Sequence, residues 1–131
     1  MEKSTLLNAI DSINSKRFAC KVSDEIISEA EAQLSVKIAE DYKLILKHYG
    51  TLAMKGHEFL GIDSNRYDAV KATLRLREED PTFPQDVYVI ENMGIDGIFL
   101  VQKSNGEIYT YQHNASLQLV SPNFEALVKK L

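Results

Sequence analysis

The side chains of this chain that could do chemistry beyond packing are three histidines (His48, His57, His113), one cysteine (Cys20) and a scatter of carboxylates. Zinc sites usually present their ligands as local pairs such as His-x-x-x-His or Cys-x-x-Cys, and neither occurs. The histidines therefore read as ordinary surface or half-buried residues. Cys20 would need a neighbouring base or a helix N-terminus to become a nucleophile, and only Lys21 and the Ser23 position stand close in sequence. It is expected to pack as a small hydrophobe under a connector. No Gly-x-Gly-x-x-Gly or Gly-x-x-x-x-Gly-Lys-Ser/Thr loop is present, so phosphate cradling by a glycine-rich loop has no sequence support. No catalytic set, metal or cofactor is implied.

The carboxylates are more suggestive. Glu58, Asp63, Glu78, Glu79, Asp80, Glu91 and Asp96 cluster in the middle of the chain, but no pair is marked as an acid/base couple. The run Glu78-Glu79-Asp80 reads as a solvated helix end. Negative charge is mildly unfavourable at a helix C-terminus, so the same run also reads as a surface kept for a partner. Asp96, in a Gly-rich turn, is either a turn former or a partner contact. Tyr88, Tyr109 and Tyr111 could in principle stack RNA bases, but the charges beside them are Glu91 and Glu107, and sheet packing accounts for them better.

The elements that must position these residues follow from periodicity. A first helix is expected over 3–14, with Leu6, Ile10 and Ile13 on one face, then a connector, SKRFACKV. Ser23 is a good N-cap with Asp24 and Glu25 behind it. Ile27, Ala30 and Leu34 form one helical stripe, and Tyr42, Ile45, Leu46 and Tyr49 form another at i, i+3, i+4, i+7. Gly50 stands where a helix end wants a left-handed residue. A hairpin is expected around Gly56, with strands over 52–54 and 58–61, then a helix over about 66–79 with Tyr67, Val70 and Leu74 as its stripe, stopped by Pro81 and Pro84. VYVI (87–90) and IFLV (98–101) read as strands buried on both faces. Asn105-Gly106 predicts a two-residue type I′ hairpin turn. Leu117 and Leu119 alternate as a half-buried last strand. Ser121 and Pro122 open a final helix with Phe124, Leu127, Val128 and Leu131 facing inward. The class is α+β: N-terminal helices, a meandering antiparallel sheet with one inserted helix, and a C-terminal capping helix.

At 131 residues, 44% hydrophobic and 26% charged, the chain has ordinary globular composition and about one domain's length, 1–131. A net charge of −4 argues against nucleic acid or an anionic membrane as the main partner. The first residues lack an uninterrupted apolar core, and no apolar run approaches the ~18 residues of a membrane helix. The single cysteine excludes an intramolecular disulfide. A cytoplasmic, soluble protein, monomeric or a weak homodimer, is expected.

The stretch from Ile26 to Gly50 also resembles the N-terminal signature of the SUKH superfamily, the Smi/Knr-type domains. That signature joins an apolar–x–x–Ala-Glu–x–x–Leu-Gly turn, a Leu-Pro–x–Asp-Tyr-Lys segment and an apolar helix ending in Tyr–x-Gly-Gly or similar. The matching residues here are Ile27, Ala30, Glu31, Leu34, Ile38, Asp41, Tyr42, Lys43, Leu46, Tyr49 and Gly50. The GHEFLG hairpin with Gly61, the Gly94-x-Asp96 turn, the Asn105-Gly106 strand pair and the NFEALVKKL helix extend the likeness over roughly 23–131. Ser35 departs from the usual glycine and Ala39 from a common proline, both in the turn between helices. Among bacterial members the chain is most similar to YobK-like immunity proteins. The resemblance implies a non-enzymatic antitoxin that binds and neutralises a cognate toxin, commonly a nuclease domain, without itself contacting nucleic acid. On that implication the acidic residues Glu58, Asp63, Glu78, Glu79, Asp80 and Asp96 are the candidate toxin contacts. The alternative is a regulatory scaffold that binds cellular proteins or peptides.

Overall fold

The structure is a computed structural model and describes residues 2–62 and 68–131. In chain order the described elements are α1 (Glu2–Asp11), β1 (Lys16–Ala19), α2 (Asp24–Leu34), α3 (Glu40–His48), β2 (Thr51–Met54), β3 (His57–Phe59), α4 (Ala69–Glu79), β4 (Val87–Asn92), β5 (Phe99–Lys103), β6 (Ile108–Tyr111), β7 (Gln118–Ser121) and α5 (Phe124–Lys130). Strands β1–β2–β3 form one antiparallel sheet and β4–β5–β6–β7 another, each in sequence order. This is the expected α+β architecture, with the meander divided in two.

The division falls at a bulge. The register between β4 and β5 shifts between Val89 and Glu91, leaving Ile90 as the extra residue. The freed Ile90 carbonyl accepts from the Leu60 N–H (2.8 Å), so the sheets touch there through one backbone bond. Beside it the Glu91 carboxylate takes the Glu58 N–H (2.9 Å).

Strand alternation explains the unbroken apolar run in β4. Tyr88 and Ile90 enter a core shared with α1, α2, α3 and α5; Val87 and Val89 enter a second core beneath α4, with Leu60, Phe83, Val101 and Tyr111. Both stripes of the signature helices are buried as their spacing requires. Ser23 caps α2, accepting from the Ile26 N–H at 3.3 Å. Gly50 follows α3 with φ +82°.

Several local expectations change. The SKRFACKV connector contains β1, which pairs with β2 from Lys16↔Met54 to Ala19↔Thr51. An exposed four-residue edge strand has too little alternation to announce itself. Cys20 is exposed and left-handed (φ 68°) rather than packed under the segment. α1 ends at Asp11, with Ile13 half-buried in the turn beyond it. α4 begins after Asp68, whose side chain accepts from the Lys71 N–H; Tyr67, proposed for its stripe, lies outside the described residues. Its buried face is Ala69, Val70 and Thr73, and Leu74 is exposed. Of Asn105-Gly106, only Gly106 has positive φ; its N–H returns to the Lys103 carbonyl and the Lys103 N–H to the Glu107 carbonyl, which makes a three-residue loop instead of a two-residue type I′ turn. Leu119 is 59% exposed on the edge strand. α5 is capped by Asn123, not Ser121, which closes β7.

Candidate functional site

The signature residues are spent on holding the fold. Asp41, in the first turn of α3, accepts from the Gln102 side chain (3.1 Å) and from the Phe124 N–H (2.8 Å), so one carboxylate ties α3 to β5 and to the first residue of α5. Tyr42 donates to the Leu60 carbonyl, and burial raises its phenol. Glu31 accepts the Ile38 N–H (2.9 Å) and lies 3.4 Å from Lys43, pinning the turn between α2 and α3. Tyr49 donates to Asp11 at the end of α1. Gly50 passes so close to β1 that a Cβ there would lie 2.3 Å from the Ala19 carbonyl oxygen. Each departure from the signature is also accommodated. Ser35 itself adopts the left-handed conformation (φ 58°) that glycine would supply. Ala39 donates its N–H to the Tyr88 hydroxyl (2.9 Å), a bond proline could not make.

The candidate toxin contacts lie elsewhere and fall into two kinds. Glu58, Glu78, Glu79 and Asp96 are exposed, on β3, the last turn of α4 and the β4–β5 turn. Asp63 lies outside the described residues. Asp80 differs from the rest of its run: it is buried, and its carboxylate accepts from the Thr82 N–H (2.9 Å), the Thr82 hydroxyl (2.6 Å) and the Tyr111 hydroxyl, with His113 Nδ1 at 2.9 Å. Burial alone would raise its pKa. The donors Thr82, Tyr111 and His113 outweigh that and hold the carboxyl well below the usual carboxylate range.

That bond network organises one end of the larger sheet. His113 is held to Asp80, and Gln112 beside it donates to the Asp96 carbonyl (3.0 Å). The β6–β7 loop thus ties the end of α4 to the β4–β5 turn, so Glu79 and Asp96 flank one connected strip. In that turn Gly94, Asp96 and Gly97 all have positive φ, and Ile95 is 61% exposed between them. An exposed apolar tip beside acidic side chains is suited to a protein partner.

Sequence reasoning missed two positions. Glu91 is a buried carboxylate that accepts the Glu58 N–H and sits 2.9 Å from His57 Nδ1. His57 opens β3 as a half-buried ring, within the surface or half-buried setting expected of the histidines, and stacks on Phe59 (5.5 Å, 4°). His113 is likewise paired. Neither pairing had a signal in local spacing, since the partners are 34 and 33 positions away. No group of three or more histidine, cysteine or acidic residues suited to a metal occurs among the described residues. None of the described helices is long and apolar enough to cross a membrane.

Two antiparallel sheets with helices packed on both faces of β4, and a bonded polar network in α2–α3, define a small α+β protein. The family SUKH_5, described as SMI1-KNR4 cell-wall, matches residues 6–131. The chain belongs to this SMI1-KNR4 family of the SUKH superfamily. A comparison with curated proteins gives no match.

Proposed function

We propose that this protein is an immunity protein of the YobK-like kind, which binds a cognate polymorphic toxin and neutralises it by stoichiometric contact without catalysing a reaction. The family match over residues 6–131 carries the reading, because immunity function is typical of the superfamily. The toxin is a nuclease domain, RNase or DNase. A nuclease site is built to hold phosphates, so an acidic surface can both compete for it and be steered toward it. On this reading the toxin contacts are Glu78, Glu79 and Asp96 on that strip, together with Glu58 and Asp63. Asp80 shapes that strip from beneath through His113 and Tyr111.

Co-expression with the toxin encoded beside it tests the reading: cells survive only when this protein is present. Survival that does not depend on it would overturn the proposal. The word "cell-wall" in the matching family's description favours one second reading, a regulatory scaffold for cellular proteins. Pull-downs returning several endogenous partners, with no toxin gene adjacent, would select it.

A further inference from the structure

A cleft of about 1260 Å³ lies between the C-terminal ends of α1 and α5 and the β2–β3 hairpin, away from the strip around Asp80. Its charged lining runs against the character of the chain. The protein carries −4 overall, yet Arg17, Lys55, His57 and Lys129, the last paired with Glu125 at 2.8 Å, face this space with Glu58 as the opposing carboxylate. Arg17 and Lys55 are exposed, and neither side chain has an ion pair or hydrogen bond among the described residues. Arg17 pairs with Ala53, two residues before Lys55, a diagonal spacing that long side chains span together.

The cleft also has a fixed polar element. Glu91, 96% removed from solvent, holds His57 Nδ1 at 2.9 Å, while Phe59 stacks on the ring. The imidazole is oriented from both sides, and Nε2 has no partner among the described residues. A buried carboxylate that fixes one ring nitrogen leaves the other poised for a ligand.

We propose that this cleft is a second binding site, which takes a carboxylate-rich peptide segment of a protein partner. The cationic groups sit on three separate elements, β1, the β2–β3 hairpin and α5. That spread suits a chain carrying several carboxylates better than a single phosphate, which needs converging donors. The site is distinct from the strip of Glu78, Glu79 and Asp96; Glu58 is the one candidate toxin contact that also lines the cleft, and each proposal can fail without the other.

Octa-glutamate labelled with fluorescein, titrated with the full chain at low salt, tests the proposal. Polarisation should saturate, although the protein's net charge opposes such binding. Arg17→Glu/Lys55→Glu should weaken binding at least tenfold, while Glu78→Lys/Glu79→Lys should leave it equal or stronger. In wild-type protein, amide shifts during the titration should centre on Arg17, Lys55 and His57, a readout that needs no variant. Absence of saturation, shifts centred elsewhere, or displacement of the peptide by inorganic phosphate at equal concentration would overturn it.

Discussion

Two carboxylates, Asp41 and Asp80, each gather several donors, and what they gather differs. Asp41 joins elements far apart in sequence: α3, β5 and the start of α5. Asp80 gathers Thr82, Tyr111 and His113 and so shapes a loop end. The first belongs to the signature stretch, where every named polar group is committed to the fold. The second lies under a strip whose outer carboxylates, Glu78, Glu79 and Asp96, remain exposed. Residues that identify the family are thus internal braces, and residues free to choose a partner sit where the fold asks little of them.

The contrast breaks first at Gly50. Its φ of +82° costs a non-glycine residue ~1–2 kcal/mol, and a Cβ would also drive into the Ala19 carbonyl. Gly50→Ala is expected to lower stability by about 3 kcal/mol, measured by urea denaturation, by displacing β1. Asp41→Ala follows at about 2–3 kcal/mol, since it leaves the Phe124 N–H at the start of α5 and the buried Gln102 amide each short of an acceptor. A loss below about 0.5 kcal/mol in either variant would show that the signature stretch is not the brace described.

Asp80 sharpens the comparison through pH. Its folded pKa is depressed, so its contribution to stability is complete above the unfolded value of about 3.9 and is lost as pH falls toward the lower folded value. Asp80→Asn should be less stable than wild type at pH 7, and the gap in urea midpoints should close between about pH 4 and pH 2. A gap independent of pH would place the effect in packing instead of charge.

What the sequence disclosed and withheld follows the same physics. Tyr42, Ile45, Leu46 and Tyr49 were legible because a 3.6-residue period survives any tertiary context that buries one face. The runs in β4 and β5 were legible because strands covered on both sides have no polar alternation to lose. β1 was hidden because its identity rests on pairing with β2, and Lys16-Arg17 on an open edge look like loop. The caps at Ser121 and Asn123 were equally plausible in local terms; how far β7 runs decides between them. At the candidate site, the exposed acids were visible, but their differences were not. Asp80 is separated from Glu79 by Tyr111, which lies 31 positions later, and Glu91 by His57, 34 positions earlier. Burial of a charge is a property of the folded neighbourhood, which no local pattern records.

Smaller effects refine the boundary between brace and surface. Ser35→Gly should stabilise by about 1 kcal/mol, because the serine holds φ 58° with only a backbone bond to the Glu31 carbonyl in return. Unchanged stability would mean that the serine hydroxyl offsets the strain.

The last test separates fold from function by sign. Glu78 and Glu79 occupy the final turn of α4, where the helix dipole disfavours anions, and the Arg75–Glu79 contact (3.9 Å) is exposed and weak. Glu78→Lys/Glu79→Lys should therefore leave stability unchanged or raise it by up to about 0.5 kcal/mol. Association with the proposed toxin partner should slow severalfold, with a shallower dependence of the on-rate on ionic strength. If these residues merely end a helix, the variant gains stability and loses nothing. A slower on-rate in a more stable protein would mean that this turn holds its charges for a partner at the expense of its own helix.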